Sequence, residues 1–185
     1  MKLKNVLVTG ILAMMVLSCG EDPVPKPKAM LRLEYPAQAY RSMQSDCPFA
    51  FDYNRMATPD LQEGCNMILD YKAMKGSIYL TYKPVEGNLR ELLADAQKLS
   101  YEHVVKADNI LEQPFVNAQD RVFGMFYEVK GDAASQSQFY VTDSLNHFVT
   151  GSLYFYAKPN YDSIFPAAVY LQKDIRRIVE TLRWQ

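Results

Sequence analysis

Histidine is almost missing from this chain of 185 residues; His103 and His147 are the two present. A His-Glu-x-x-His zinc helix is therefore excluded, and neither a Gly-x-Ser-x-Gly nucleophile elbow nor a glycine-rich phosphate loop occurs. Catalysis through either ring would need a nucleophile and an orienting acid nearby. Ser100 stands three residues before His103, a spacing that chance supplies on any helix. Both histidines read as interfacial or capping side chains. Cysteine is scarce too, at three, with no Cys-x-x-Cys pair, so a structural zinc site lacks its ligands. Asp52, Asp70 and Asp132 are too spread for a calcium loop. No catalytic residue, metal or cofactor is expected, and the chain reads as a non-enzyme.

Long runs of one charge are missing as well. Lysine and arginine total 20 against 21 acidic residues. Nucleic acid as a partner would require a basic stripe, so none is expected. A polybasic membrane-binding face is excluded for the same reason. Past the N-terminus, no apolar run reaches the ~20 residues of a spanning helix.

The N-terminus carries the clearest signal. Lys2 and Lys4 precede the apolar run Val6–Leu17, and Ser18-Cys19-Gly20 follows it. This is the order of a signal peptide, and a cysteine directly after the small residue makes it a lipobox. The run of about twelve residues is too short for a retained anchor, and Gly10 interrupts it. An ordinary signal peptide with a chance cysteine is the remaining alternative. The expectation is cleavage after residue 18 and acylation of Cys19, where two or three chains hold a protein stably on a bilayer. Pro23, Pro25 and Pro27 then alternate with Val24, Lys26 and Lys28. Proline at every second position blocks helix and gives an extended tether. The expected organisation is a signal peptide at 1–18, a lipidated Cys and Pro-rich tether at 19–29, and a single globular domain at 30–185. Loss of Lys2 and Lys4 takes the formal charge from −1 to −3.

Cys47 and Cys65 remain after acylation of Cys19. An exported protein meets an oxidising compartment, which favours one disulfide over two separate buried thiols. In the chain-entropy model such a loop stabilises by ~3 kcal/mol. One difficulty stands against it. Each cysteine opens its own expected strand, and antiparallel neighbours would put their starts ~20 Å apart.

Alternation marks the strands. Cys47, Phe49, Phe51 and Tyr53 alternate with Pro48, Ala50 and Asp52; Cys65, Met67, Leu69 and Tyr71 with Asn66, Ile68 and Asp70. Ile78, Leu80 and Tyr82 continue the period. Asn88 to about Ala107 reads as a helix with an Asn88 cap, a Glu91 partner and a Leu89, Leu92, Leu93, Ala96, Leu99, Val104 stripe. A loop through Pro114 follows. Strands return at 121–129, 138–143 and 147–157, with Gly124 and Gly151 inside them as marks of close backbone approach. A final helix is expected from about Ser163 to Arg183, with Pro166 in its first turn. Three strands, a helix, three strands and a helix predict an α+β fold: a largely antiparallel six-stranded sheet with two main helices packed on it. This order, closing on Gly151-Ser152-Leu153-Tyr154-Phe155 and a long helix, resembles the Mog1/PsbP-like α/β/α sandwich.

Tyrosine is abundant, at thirteen. Tyr79, Tyr140, Tyr154 and Tyr156 fall on the more polar faces of their strands. An aromatic body with a polar tip suits a partner surface or a ligand platform; helices that simply cover the rings would explain them equally. The polar stretch Asp132–Ser137 reads as a loop and a second contact site.

The chain resembles the gliding-motility lipoprotein GldD family of Bacteroidota. The resemblance rests on Arg32-Leu33-Glu34-Tyr35-Pro36, Cys47-Pro48-Phe49, Ile78-Tyr79-Leu80-Thr81-Tyr82-Lys83-Pro84, Asp95-Ala96-Gln97-Lys98-Leu99 and Tyr101-Glu102-His103-Val104. It continues through Gln138-Phe139-Tyr140-Val141-Thr142-Asp143-Ser144, His147-Phe148-Val149, Gly151 to Ala157 and Pro159-Asn160-Tyr161-Asp162-Ser163. It implies a membrane-anchored accessory of the gliding machinery, linked to type IX protein secretion. Its partners would be other gliding or secretion proteins, and its place the cell envelope, facing the periplasm. Only Cys19 carries over as a functional position. A small-ligand or glycan-binding module of the envelope is the alternative from another class.

Overall fold

The computed structural model describes residues 33–101, 107–131, 133–156 and 161–185. The expected signal peptide, Cys19, the tether, His103 and Asp132 lie outside the described residues. The strands are β1 (Tyr40–Ser42), β2 (Phe49–Ala50), β3 (Asp52–Asn54), β4 (Thr58–Leu61), β5 (Met67–Tyr71) and β6 (Gly76–Pro84). Helix α1 (Leu89–Tyr101) comes next, then β7 (Ala107–Asn117), β8 (Val122–Gly131), β9 (Ser135–Thr142) and β10 (His147–Phe155). Helix α2 (Tyr161–Thr181) and β11 (Arg183–Trp184) close the chain.

Seven strands form the main sheet, in the order β4-β5-β6-β10-β9-β8-β7, and every pairing in it is antiparallel. The expected six-stranded sheet is thus corrected to seven strands. The stretch 47–53 leaves the sheet, and two further strands join its edges, one of them where a loop through Pro114 was expected. Those edge strands, β4 and β7, contain Pro59 and Pro114 respectively. Proline lacks the ladder donor, so a sheet accepts it at an edge, where it also discourages pairing with another chain. The same residue that protects the edge hides the strand from a reading of periodicity.

The period of two sorts the sheet into two faces. One face presents Met67, Leu69, Tyr71, Ile78, Leu80, Phe139, Val141, Val149 and Leu153, all at most 3% exposed. Helix α2 covers it with Leu171, Ile175, Ile178 and Val179, each at most 1% exposed. Each such side chain contributes roughly 1.5–3 kcal/mol by leaving water. Beside α2, the segment 40–54 completes the cover. Phe49 and Phe51 are each 1% exposed, and Phe49 stacks on Tyr82 at 5.6 Å. Strand β3 pairs with β1, and β2 pairs with β11 at the C-terminus. The Asp52 amide donates to Thr181 Oγ1 at 2.9 Å, and Arg177 pairs with Asp52 at 2.7 Å.

The opposite face receives α1. Leu92 and Ala96 pack on Phe148, with Tyr140 beside them. The expected extension of this helix to Ala107 is corrected, because Ala107 already belongs to β7. Asn88 serves the helix start through its backbone carbonyl, which accepts from the Glu91 and Leu92 amides. Its side chain instead accepts from the Glu86 amide at 2.9 Å, so the expected capping box with Glu91 does not form. Helix α2 begins at Tyr161, which moves Pro166 out of the first turn.

Glycine inside two strands has a steric cause. A Cβ on Gly124 would lie 2.0 Å from the Tyr140 carbonyl oxygen, and one on Gly151 would lie 2.1 Å from the Phe139 ring. Phe139 is the cross-strand partner of Gly151, so its ring lies across the glycine and fills the space of the missing side chain.

Candidate functional site

Two of the four tyrosines meet across the strand pair β6–β10. Tyr79 faces Ser152 in register and Tyr154 faces Ser77, so the two rings are diagonal neighbours on the α1 side. Their centroids are 5.7 Å apart in an edge-to-face arrangement. Tyr156 extends the group just past β10 and is 59% exposed. Its hydroxyl makes a short hydrogen bond with Ser77, and Ser77 Oγ donates to Asp70 at 2.9 Å. The phenol of Tyr79 is held above its ordinary value, first by its hydrogen bond with Tyr156 and then by burial. Asp70, Ser77, Tyr79, Tyr154 and Tyr156 thus make one aromatic patch with a bonded polar edge. Tyr79 and Tyr154 are half-buried, and Tyr156 is exposed.

Tyr140 is not in that patch. It stacks on Phe148 at 5.7 Å and 10°, beside the helix contact of Leu92 and Ala96. Of the expected partner surface, three tyrosines gather and the fourth is a packing residue. The polar stretch before β9 is corrected as well. Ala133, Ser135, Gln136 and Ser137 are at most 3% exposed, and β9 already begins at Ser135. Its side chains bond inward, Gln136 Nε2 to the Ala133 carbonyl and Ser135 Oγ to that of Ser137. An exposed loop was expected because the residues are small and polar; strand pairing buries them.

Cys47 and Cys65 are joined by a disulfide, with 5.6 Å between their Cα atoms. The difficulty over strand ends disappears because the two cysteines belong to different layers. Cys47 leads into the covering segment, and Cys65 leads into β5 of the sheet.

His103 lies outside the described residues, so the surroundings of His147 alone are described. His147 begins β10, where Nδ1 lies 3.0 Å from the Tyr82 hydroxyl and the ring stacks on Trp184 at 5.2 Å. Ser100, on the buried face of α1, has its Oγ 2.9 Å from Gln138 Oε1 and 3.1 Å from the Ala96 carbonyl; its single proton serves one of them at a time.

One cluster escaped the reading of the sequence. Asp174 stands in the apolar stripe of α2, three residues after Leu171 and four before Ile178, and is fully buried. Oδ1 accepts from Gln38 Nε2 at 3.0 Å and from the Tyr40 hydroxyl at 2.9 Å. Asn54 Nδ2 donates to both carboxylate oxygens, at 3.2 and 3.0 Å. Burial raises the Asp174 carboxyl above the ordinary 3.8, against the opposing effect of these bonds. Tyr71 lies beside the same carboxylate, and burial together with that charge raises its phenol strongly; its hydroxyl has no partner in hydrogen-bonding geometry. A charge inside an apolar stripe was the available signal. Its partners lie more than a hundred residues away, so nothing local could name them.

Among the described residues, no group of three or more His, Cys, Asp and Glu side chains is placed to hold a metal ion. No helix of the described residues is long and apolar enough to cross a membrane.

The fold and its surface define an α+β protein with a partly exposed aromatic patch. The family model for gliding motility lipoprotein GldD matches residues 20–184, and the chain belongs to that family. Membership makes it a lipoprotein component of the gliding motility machinery, attached to a membrane of the cell envelope. No curated protein matches the chain.

Proposed function

We propose that this chain is a non-enzymatic scaffold that stabilises other gliding proteins and works alongside type IX secretion. Acylated Cys19 is its anchor after removal of residues 1–18, with the domain in the periplasm. The observation that carries the scaffold reading is the partly exposed patch of Tyr79, Tyr154 and Tyr156. Aromatic rings with polar tips are the side chains enriched where binding energy concentrates.

The position of the chain's N-terminal side supports this reading. Tyr35 packs on Tyr170, and Gln38 and Tyr40 bond to Asp174, so this side is held on the α2 layer. The patch lies on the other face of the sheet. Leu33 stands fourteen positions after Cys19, a length that reaches at most about 50 Å. The tether is therefore rooted on the face opposite the aromatic patch and leaves that patch clear of its root. Helices on both faces of the antiparallel sheet also support, in its layers, the likeness to the Mog1/PsbP sandwich.

The test compares the triple variant Tyr79→Ala, Tyr154→Ala, Tyr156→Ala with Tyr140→Ala in cells. Motility and the levels of crosslinked partner proteins should fall in the triple variant while its melting temperature stays near that of the wild type. Tyr140→Ala, which vacates packing space under α1, should lose about 2–3 kcal/mol of stability. Normal motility in a well-folded triple variant would refute the assignment.

A further inference from the structure

A cleft of about 340 Å³ opens at the end of the sheet away from the aromatic patch, between Arg121, Asp143, Asn146, His147, Arg183 and Trp184. The separation is set by β10, which has His147 at its start and Tyr154 seven residues on, roughly 23 Å along an extended strand. The volume is in the range of small-molecule sites. We propose that this cleft binds a carboxylate-bearing saccharide of the uronic-acid type. The site is independent of the scaffold reading and survives its failure.

The rings form a prepared platform. His147 and Trp184 are stacked at 17°, and each is fixed by its own hydrogen bond. Tyr82 holds His147 Nδ1, and Trp184 Nε1 donates to the Arg121 carbonyl at 3.0 Å. Burial, aided by the Asp143 charge, holds the Tyr82 phenol above its ordinary value, so the hydroxyl keeps its proton. Nδ1 is thereby engaged, and Nε2 bonds to no described residue. The C–H face of a pyranose is apolar and suits the flat aromatic surface.

The charges in the cleft are unequally engaged. Asp143 Oδ1 accepts from the backbone amides of Leu145, Asn146 and His147, at 3.0, 2.8 and 2.9 Å. Asp120 accepts from Asn117 at 2.9 Å. Each carboxylate is thus engaged by the protein through one oxygen, Oδ1 of Asp143 and Oδ2 of Asp120. Among the described residues the Arg183 guanidinium has no partner, and Arg121 makes a single long contact of 3.4 Å to a carbonyl. Two guanidiniums beside a stacked platform can take a carboxylate in bidentate fashion. Arg183 and Trp184 also line a neighbouring polar cleft of about 370 Å³ with Ser42, Gln44 and Asp52, which gives room for further sugar units.

Trp184 is the single tryptophan of the chain, so intrinsic fluorescence reads this site alone. The mature lipoprotein in detergent should be titrated with tri-galacturonate, and with neutral galactotriose as the control. Saturable change with the acidic sugar alone is expected. Arg183→Ala and Arg121→Ala should each weaken binding by about tenfold, the effect of losing one charged hydrogen-bonding fork, with unchanged melting temperatures. Arg183→Glu should abolish it. No fluorescence change with tri-galacturonate up to about 10 mM, beyond any useful millimolar affinity, would overturn the proposal. An equal response to the neutral sugar would do so too, as would wild-type binding by the folded arginine variants.

Discussion

Replacing Asp174 by alanine removes the acceptor that holds the segment 38–54 onto α2. Three side chains each lose a hydrogen bond, Gln38, Tyr40 and Asn54; Gln38 keeps its bond to the Tyr170 carbonyl and Asn54 one N–H on the Tyr170 hydroxyl. Gln38 and Tyr40 are half-buried, so water can satisfy them in part. Asn54 is 1% exposed and cannot be reached in that way. One stranded buried donor costs about 1–3 kcal/mol, and each of the other two bonds about 1 kcal/mol. Relief from burying a carboxylate works in the opposite direction. The net expectation is a loss of about 2–4 kcal/mol, which lowers the melting temperature of a domain this size by roughly 5–15 °C. Hydrogen exchange should localise the damage. The Met43 amide, bonded to Phe51, and the Arg55 amide, bonded to Ala39, should lose protection before the main sheet does. The pH dependence follows from the raised carboxyl. A folded-state value above the unfolded one means that the folded state holds the proton more tightly. The contribution is therefore full below the ordinary 3.8 and declines as pH rises through the folded value. Asp174→Asn keeps the shape and removes this slope, so its disadvantage against the wild type should be largest in acid and shrink toward neutral pH. An unchanged or higher melting temperature for Asp174→Ala would refute the argument, showing that carboxylate desolvation outweighs the bonds.

Gly151→Val should lower stability by several kcal/mol or prevent folding, because its Cβ would enter the Phe139 ring; thermal unfolding of Gly151→Val with and without Phe139→Ala checks it, the second change relieving the first. Cys47→Ser with Cys65→Ser should cost about 3 kcal/mol in chemical denaturation, and free-thiol labelling of both cysteines in protein taken from cells without reductant would contradict the bond. Asp143→Asn should cost stability above the ordinary 3.8, with the difference vanishing in acid. Burial alone would raise this carboxyl, yet three backbone amides and the His147 charge hold it lower, so its contribution is lost as pH falls. Cys19→Ala should release the mature protein from membranes; retention after a high-salt wash would refute the lipid anchor.

Much of the layering could be read directly from the chain. Alternation of Met67, Leu69 and Tyr71, and of Ile78, Leu80 and Tyr82, marks strands because side chains two apart share a face. The stripe Ile164, Ala168, Leu171, Ile175, Ile178 marks α2 because its spacing follows the helical turn. Gly124 and Gly151 announced a close approach without saying to what. All of these are local signals, carried within one or two turns of backbone. Edge strands β4 and β7 were not legible, since an edge meets water and tolerates proline and therefore shows neither clean alternation nor high apolar content. Three of the tyrosines form a patch while Tyr140 packs under α1, a division made by where the helix lies and not by the strand period they share. Asp174 acquires its meaning from Gln38, Tyr40 and Asn54, and the cleft from Arg121, His147 and Arg183. Those residues are joined only when the sheet and the C-terminal strand close, because contacts between distant residues depend on three-dimensional packing, which no local pattern encodes.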